Sequence, residues 1–164
     1  MRAIAIFTAA GLLAAGLAAP TLAQQYKMDP NAPLSVTAES QTEVDTSNCT
    51  VTLQGKVEII IDKTRLRSNN AKAYSARERG ECGGISRLEA RGDVYYVTPD
   101  QRIRADEADY DLTAEKAVFK GNVVAVRGED VITSSTLTVE LATNNATAGG
   151  PFRGVFFPEK SKAK

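Results

Sequence analysis

Leu88-Glu89-Ala90-Arg91-Gly92-Asp93-Val94-Tyr95-Tyr96 is the stretch that decides the fold. Leu88, Ala90, Val94 and Tyr96 are apolar or small and fall at every second position, while Glu89, Arg91 and Asp93 stand between them. A period of two belongs to a strand with one buried face. The glycine inside it predicts a bend or bulge where the strand turns a corner.

The same pattern occurs three times. Gly55-Lys56-Val57 and Gly121-Asn122-Val123 match Gly92-Asp93-Val94. Around Gly55 the inward set is Val51, Leu53, Val57, Ile59 and Ile61; around Gly121 it is Ala117, Phe119, Val123 and Ala125. Val124 and Val126 break the alternation and imply that the third unit is covered on its outer side. Eleven residues after the glycines stand Leu66, Ile103 and Ile132. Sixteen after stand Ala71, Ala108 and Leu137, and eighteen after stand Ala73, Tyr110 and Val139. Repetition at this scale points to stacked units. A partial unit, Val36-Thr37-Ala38-Glu39, precedes them, and Arg153-Gly154-Val155-Phe156 reads as the start of one more. The first spacing is 37 residues and the second 29. The surplus falls near Ser75–Ser86, rich in Arg, Glu and Gly, a composition that predicts a loop.

Turns are expected at Thr98-Pro99-Asp100-Gln101 and Arg127-Gly128-Glu129-Asp130. Second strands are expected at Thr64–Arg67, Arg102–Ala105 and Val131–Thr133. No stretch past the leader shows a helical stripe with caps. Two bent strands cannot bury a face alone, but stacked pairs bury one continuous interior. The expected fold is therefore all-β, a folded-over antiparallel β-jellyroll (β-taco) built from repeated strand pairs. Its unpaired end strands would invite pairing with another chain.

The ends of the chain read differently. Met1-Arg2, an apolar run over Ile4–Ala19 and Thr21-Leu22-Ala23 have the form of a cleaved export signal, residues 1–23. The run is short of the roughly 20 residues that span a bilayer, and no Cys follows it to carry a lipid. Residues 24–33 read as a flexible segment, 34–157 as the β domain and 158–164 as a disordered basic tail. Phe152, Val155, Phe156 and Phe157 make either a last strand or an exposed adhesive end. Export places the chain in the periplasm or outside the cell. The two cysteines, Cys49 and Cys82, suit that setting. One disulfide closing about 34 residues would contribute roughly 3–4 kcal/mol if unstrained; two free thiols are the alternative.

Several function classes are excluded or weak. Lys plus Arg and Asp plus Glu both number 20, and removal of the leader takes only Arg2. A near-neutral chain lacks the basic field that gathers nucleic acid. It contains no His, which removes His-based catalysis and His-ligated zinc. Gly80-Glu81-Cys82-Gly83-Gly84 lacks the Lys-Ser/Thr of a phosphate-binding loop, and no cofactor is expected. Asp106, Glu107, Asp109 and Asp111 raise a calcium or glycosidase reading. Adjacent Asp106 and Glu107 would point to opposite faces of a strand, which argues against both. Arg102 and Arg104 are either phosphate contacts at a groove mouth or a solvated strand face, and the second is the simpler reading. The sequons Asn48-Cys49-Thr50 and Asn145-Ala146-Thr147 are read as chance matches.

Ile103-Arg104-Ala105-Asp106-Glu107-Ala108-Asp109-Tyr110-Asp111, followed by Ala117-Val118-Phe119-Lys120-Gly121-Asn122-Val123, resembles the OstA-like family. The shared pattern is an I-x-A-D segment, an aromatic strand, a short acidic turn and a G-N-V strand. It recurs over Val36–Val155. The cysteine pair and Ser75–Ser86 lie outside it. The resemblance implies a non-enzymatic periplasmic carrier of lipopolysaccharide whose apolar interior shields lipid A acyl chains. It also implies end-to-end assembly into a bridge, joined to inner- and outer-membrane transport components by edge-strand pairing.

On that reading the groove-facing residues are Val57, Ile59, Leu66, Val94, Tyr96, Ile103, Tyr110, Phe119, Val123, Ile132, Leu137 and Val139. The alternative is a structural β-stack whose inward residues pack only on one another. A closed core and an open groove share one sequence pattern. Alanines at 71, 73, 90, 105, 108, 117 and 125 leave room and favour the groove.

Overall fold

The computed structural model describes Asp29 and residues 32–157. The expected leader 1–23, the tail 158–164 and most of the segment 24–33 lie outside the described residues. Among those residues the chain forms strands and turns without helices: β1 (Leu34–Thr37), β2 (Thr42–Asp45), β3 (Thr50–Ile61), β4 (Thr64–Glu78), β5 (Glu81–Val97), β6 (Arg102–Asp111), β7 (Lys116–Arg127), β8 (Asp130–Glu140), β9 (Asn145–Gly149) and β10 (Arg153–Val155).

One antiparallel sheet runs β1-β3-β4-β5-β6-β7-β8-β10. The short end strands complete it in halves. β1 and β2 pair with the two halves of β3, and β10 and β9 pair with the two halves of β8. Each long strand breaks register midway, between Gln54 and Val57, Arg67 and Asn70, Arg91 and Val94, Arg104 and Glu107, and Lys120 and Val123. These breaks align into a crease that divides the sheet into two wings. The first wing holds Val57–Ile61, Thr64–Ser68, Val94–Val97, Arg102–Ala105, Val123–Arg127 and Asp130–Ser134. The second holds the other halves.

The repeated glycines make the crease. Gly55, Gly92 and Gly121 have φ of 76°, 78° and 73°, and Lys56, Asp93 and Asn122 after them have φ of 43°, 46° and 45°. Two successive left-handed residues turn the strand, and glycine takes the first without a Cβ penalty. The neighbouring strand presses on the same point. A Cβ on Gly121 would lie 2.4 Å from Oδ2 of Asp106, and one on Gly92 would lie 2.8 Å from Nδ2 of Asn69.

The wings fold onto each other. Inward residues from both form one apolar cluster, and the rings of Tyr96 in the first wing and Phe119 in the second meet with centroids 5.3 Å apart.

Three expectations are corrected. Ser75–Ser86 is not a loop: β4 and β5 continue through it as a hairpin, with Arg77 opposite Cys82 and Glu78 opposite Glu81. Its turn is Arg79-Gly80, both at positive φ, the two-residue turn that suits antiparallel strands. Residues 76–82 are exposed, so the overhang has no buried face and no alternation to read. The second strands are longer than expected, because they also pass through the crease. Finally, Arg153–Phe156 does not begin a unit. The fourth crease glycine is Gly150, 29 residues after Gly121, at φ 82° and against Ser135. β10 is the far half of that last bent strand.

Cys49 and Cys82 form a disulfide with Cα atoms 5.3 Å apart. It fastens the overhanging hairpin to the turn between β2 and β3. Arg77 reinforces the joint by donating to the carbonyls of Gly80 and Ser47. Inside that turn Asp45 accepts from Ser47 and Asn48, and these hydrogen bonds hold its carboxyl well below the usual carboxylate range.

Candidate lipid groove

Cross-strand partners share a face of the sheet, so the register traces the interior directly. On the first wing Val36, Ile59, Leu66, Tyr96, Ile103, Ala125, Ile132 and Gly154 stand in one row from edge to edge. On the second wing Leu53, Ala71, Ala90, Ala108, Phe119, Leu137 and Ala148 form a facing row. The second row carries a run of three alanines, and the large rings of Tyr96 and Phe119 meet between the wings in the same buried cluster.

Eleven of the twelve residues expected to face the groove are buried, none above 6% exposed. They are Val57, Ile59, Leu66, Val94, Tyr96, Ile103, Tyr110, Phe119, Val123, Leu137 and Val139. Ile132 is half-buried. In this form of the molecule the middle of the interior is filled by protein side chains.

The C-terminal end is different. The inward positions of β9 and β10 that pair with β8 are Ala146, Ala148 and Gly154, all small, and β10 is exposed along its length. A cleft of about 300 Å³ remains between the wings, lined by Ala125, Ile132, Leu137, Ala146 and Phe156, with Gln101, Arg127, Asp130, Asn144 and Asn145 at its rim. Phe152 and Phe156 are more than half exposed, and their rings crowd the space a side chain at residue 154 would need. Arg127 ends the first wing and donates from Nη2 to the Asn144 carbonyl at the tip of the second wing, 3.4 Å away. It also reaches Oε1 of Gln101 at 3.5 Å. These rim residues were missed from the sequence, where Arg127 reads only as a turn residue.

The acidic cluster is spent on the outer face. Asp109 accepts from Arg91 at 2.9 Å and from Lys120 at 2.8 Å. Partial burial pushes its carboxyl up, but these hydrogen bonds and charges outweigh burial and hold it below the usual range. Asp106 accepts from Asn122, Asp111 accepts from the Ala114 amide, and Glu107 pairs loosely with Arg91. No group of three acids, thiols or imidazoles placed to hold a metal occurs among the described residues. Arg102 and Arg104 lie exposed on the outer face, with Arg104 over the Tyr95 ring and paired with Asp93.

Comparison with known proteins agrees with this architecture. Residues 35–144 and, overlapping them, 102–156 match the family described as LptA/(LptD N-terminal domain) LPS transport protein. Among solved structures, the chain is similar to LptH, the LptA homologous periplasmic component of the conserved lipopolysaccharide transport device from Pseudomonas aeruginosa. The TM-score is 0.71 at 16% identity, covering 80% of this chain and 99% of LptH. At that identity the likeness speaks for the fold. No curated protein matches the sequence.

Proposed function

Because this chain belongs to the LptA and LptD N-terminal domain family of lipopolysaccharide transport proteins, we propose that its two facing rows of inward residues are the path of the lipid A acyl chains. The observation that carries this is the first-wing row, which stays apolar from β1 to β10. Burying one CH₂ is worth about 0.8 kcal/mol, so an acyl chain of a dozen carbons crossing water bare would cost on the order of 10 kcal/mol. A carrier has to offset that along the whole route, and a stack of like strand pairs offers a constant section. The crease glycines supply the hinge about which the wings would part.

The proposed compartment is the periplasm, in keeping with the leader-like residues 1–23 and the disulfide. The proposed partners are lipopolysaccharide, further copies of the chain and the membrane-bound transport components at either end. Among the described residues the edge strands β1 and β2 on one side, and β9 and β10 on the other, have unpaired outer edges, which fits end-to-end pairing. No enzymatic role is proposed, since the acids that suggested one are committed to ion pairs and turns. One observation favours a second reading, a structural stack without lipid: the tight burial of Val94 and Val139 in the core.

Transfer tests the proposal. Inner-membrane vesicles carrying labelled lipopolysaccharide are incubated with the purified mature chain and sedimented. Label should leave with the soluble protein. Label that stays with the vesicles, with the chain folded, would favour the structural stack.

A further inference from the structure

The cleft at the C-terminal end has a cationic closure. Arg127 arches over it from one wing tip to the other, with the apolar floor of Ala125, Ile132 and Leu137 beneath. Its hydrogen bonds run to two neutral oxygens, at 3.4 Å and 3.5 Å, the weak end of the range. Arg127 forms no ion pair among the described residues, unlike Arg65, Arg67, Arg91 and Arg104 elsewhere on the sheet. Asp130, at the same rim, accepts instead from the Phe157 amide at 2.9 Å. An exposed guanidinium therefore stands over a greasy opening with most of its donors uncommitted.

We propose that Arg127 is a latch at the acyl-chain port and that its ligand is a phosphate on the headgroup of the amphiphile whose chain enters the cleft. The inference rests on the carrier reading above and names the place and the recognition. A guanidinium binds phosphate through two parallel charge-assisted bonds, stronger than two long bonds to neutral oxygens. Pairing with phosphate would draw Arg127 off Asn144 and Gln101 and release the wing tips from each other. The acyl chain then enters the cleft beside Ile132. The apolar floor and the Arg127 guanidinium at the rim match the two halves of an acylated phosphosugar.

The test compares lipid A carrying its phosphates with lipid A stripped of them, using the mature full chain and the variants Arg127→Gln and Arg127→Lys. Arg127 is exposed, so both variants should fold, as far-UV circular dichroism would verify. Arg127→Gln should weaken binding of the phosphorylated lipid roughly tenfold, the scale of one lost charge-assisted pair. Binding of the stripped lipid should not weaken, and Arg127→Lys should fall between for the phosphorylated lipid. Equal effects on both lipids, or no effect on either, would overturn the latch while leaving the carrier standing. A wild-type chain that binds neither lipid would overturn the carrier reading and the latch with it.

Discussion

The rings of Tyr96 and Phe119 meet across the two wings, 5.3 Å between centroids and tilted by 57°. They come from different strands and opposite sides of the crease, so this contact closes the interior rather than merely lining it. Phe119 is 1% exposed. Phe119→Ala should therefore destabilise the fold by about 3–5 kcal/mol, the usual loss for a large buried ring, read by urea unfolding. A loss under 1 kcal/mol would mean the wings do not pack on this ring in solution.

Gly121 and Gly128 separate two effects of positive φ. Both are left-handed, at 73° and 59°, but a Cβ at Gly128 meets open space while one at Gly121 meets Asp106. Gly128→Ala should cost only the added backbone strain, about 1 kcal/mol, and Gly121→Ala should cost more, about 2–3 kcal/mol. Equal melting shifts would show that crowding at the crease is unimportant.

The disulfide should matter for stability more than for shape. Cys49 and Cys82 close a loop of sequence separation 33, for which chain entropy suggests about 3–4 kcal/mol. Reduction, or Cys82→Ser, should lower the urea midpoint by a corresponding amount. The wild type should also shift on a gel upon reduction, and Cys82→Ser should not.

Much of this was legible from residues. Leu88-Glu89-Ala90-Arg91 and its two counterparts alternate because one face of every long strand is buried, and the crease needs a left-handed residue at a fixed place. The hairpin at Arg77–Cys82 was not legible, because it overhangs the sheet and no face of it is buried. Gly150 was hidden by Gly149 and Gly154 beside it, although its 29-residue distance from Gly121 and the match of Ala146 to Ala117 mark it. The filled middle of the interior follows from how Tyr96 and Phe119 meet across the wings within one buried cluster. That is a matter of volume across wings, and alternation along one strand does not encode it.

Asp109 gives a pH dependence of known sign. Burial is the largest single influence and pushes its carboxyl up, but the hydrogen bonds and charges of Lys120 and Arg91 together outweigh it and hold the carboxyl below the usual range. The folded state therefore keeps the charge at pH values where the unfolded chain is already protonated. The stabilisation is present above the unfolded value of about 4 and lost as pH falls below it. As pH falls below about 4, stability should drop more steeply in the wild type than in Asp109→Asn, followed by urea midpoints. Parallel curves would mean that the Arg91–Asp109–Lys120 cluster contributes nothing on folding.

On the proposed function, lipid travels between the wings. A photo-crosslinking residue at Ile59 or Tyr96, with an outward control at Glu58, tests it on the mature chain loaded with lipopolysaccharide. Crosslinks to lipopolysaccharide are expected at Ile59 and Tyr96 and none at Glu58. Crosslinks at no site, or equally at Glu58, with the fold intact, would contradict it.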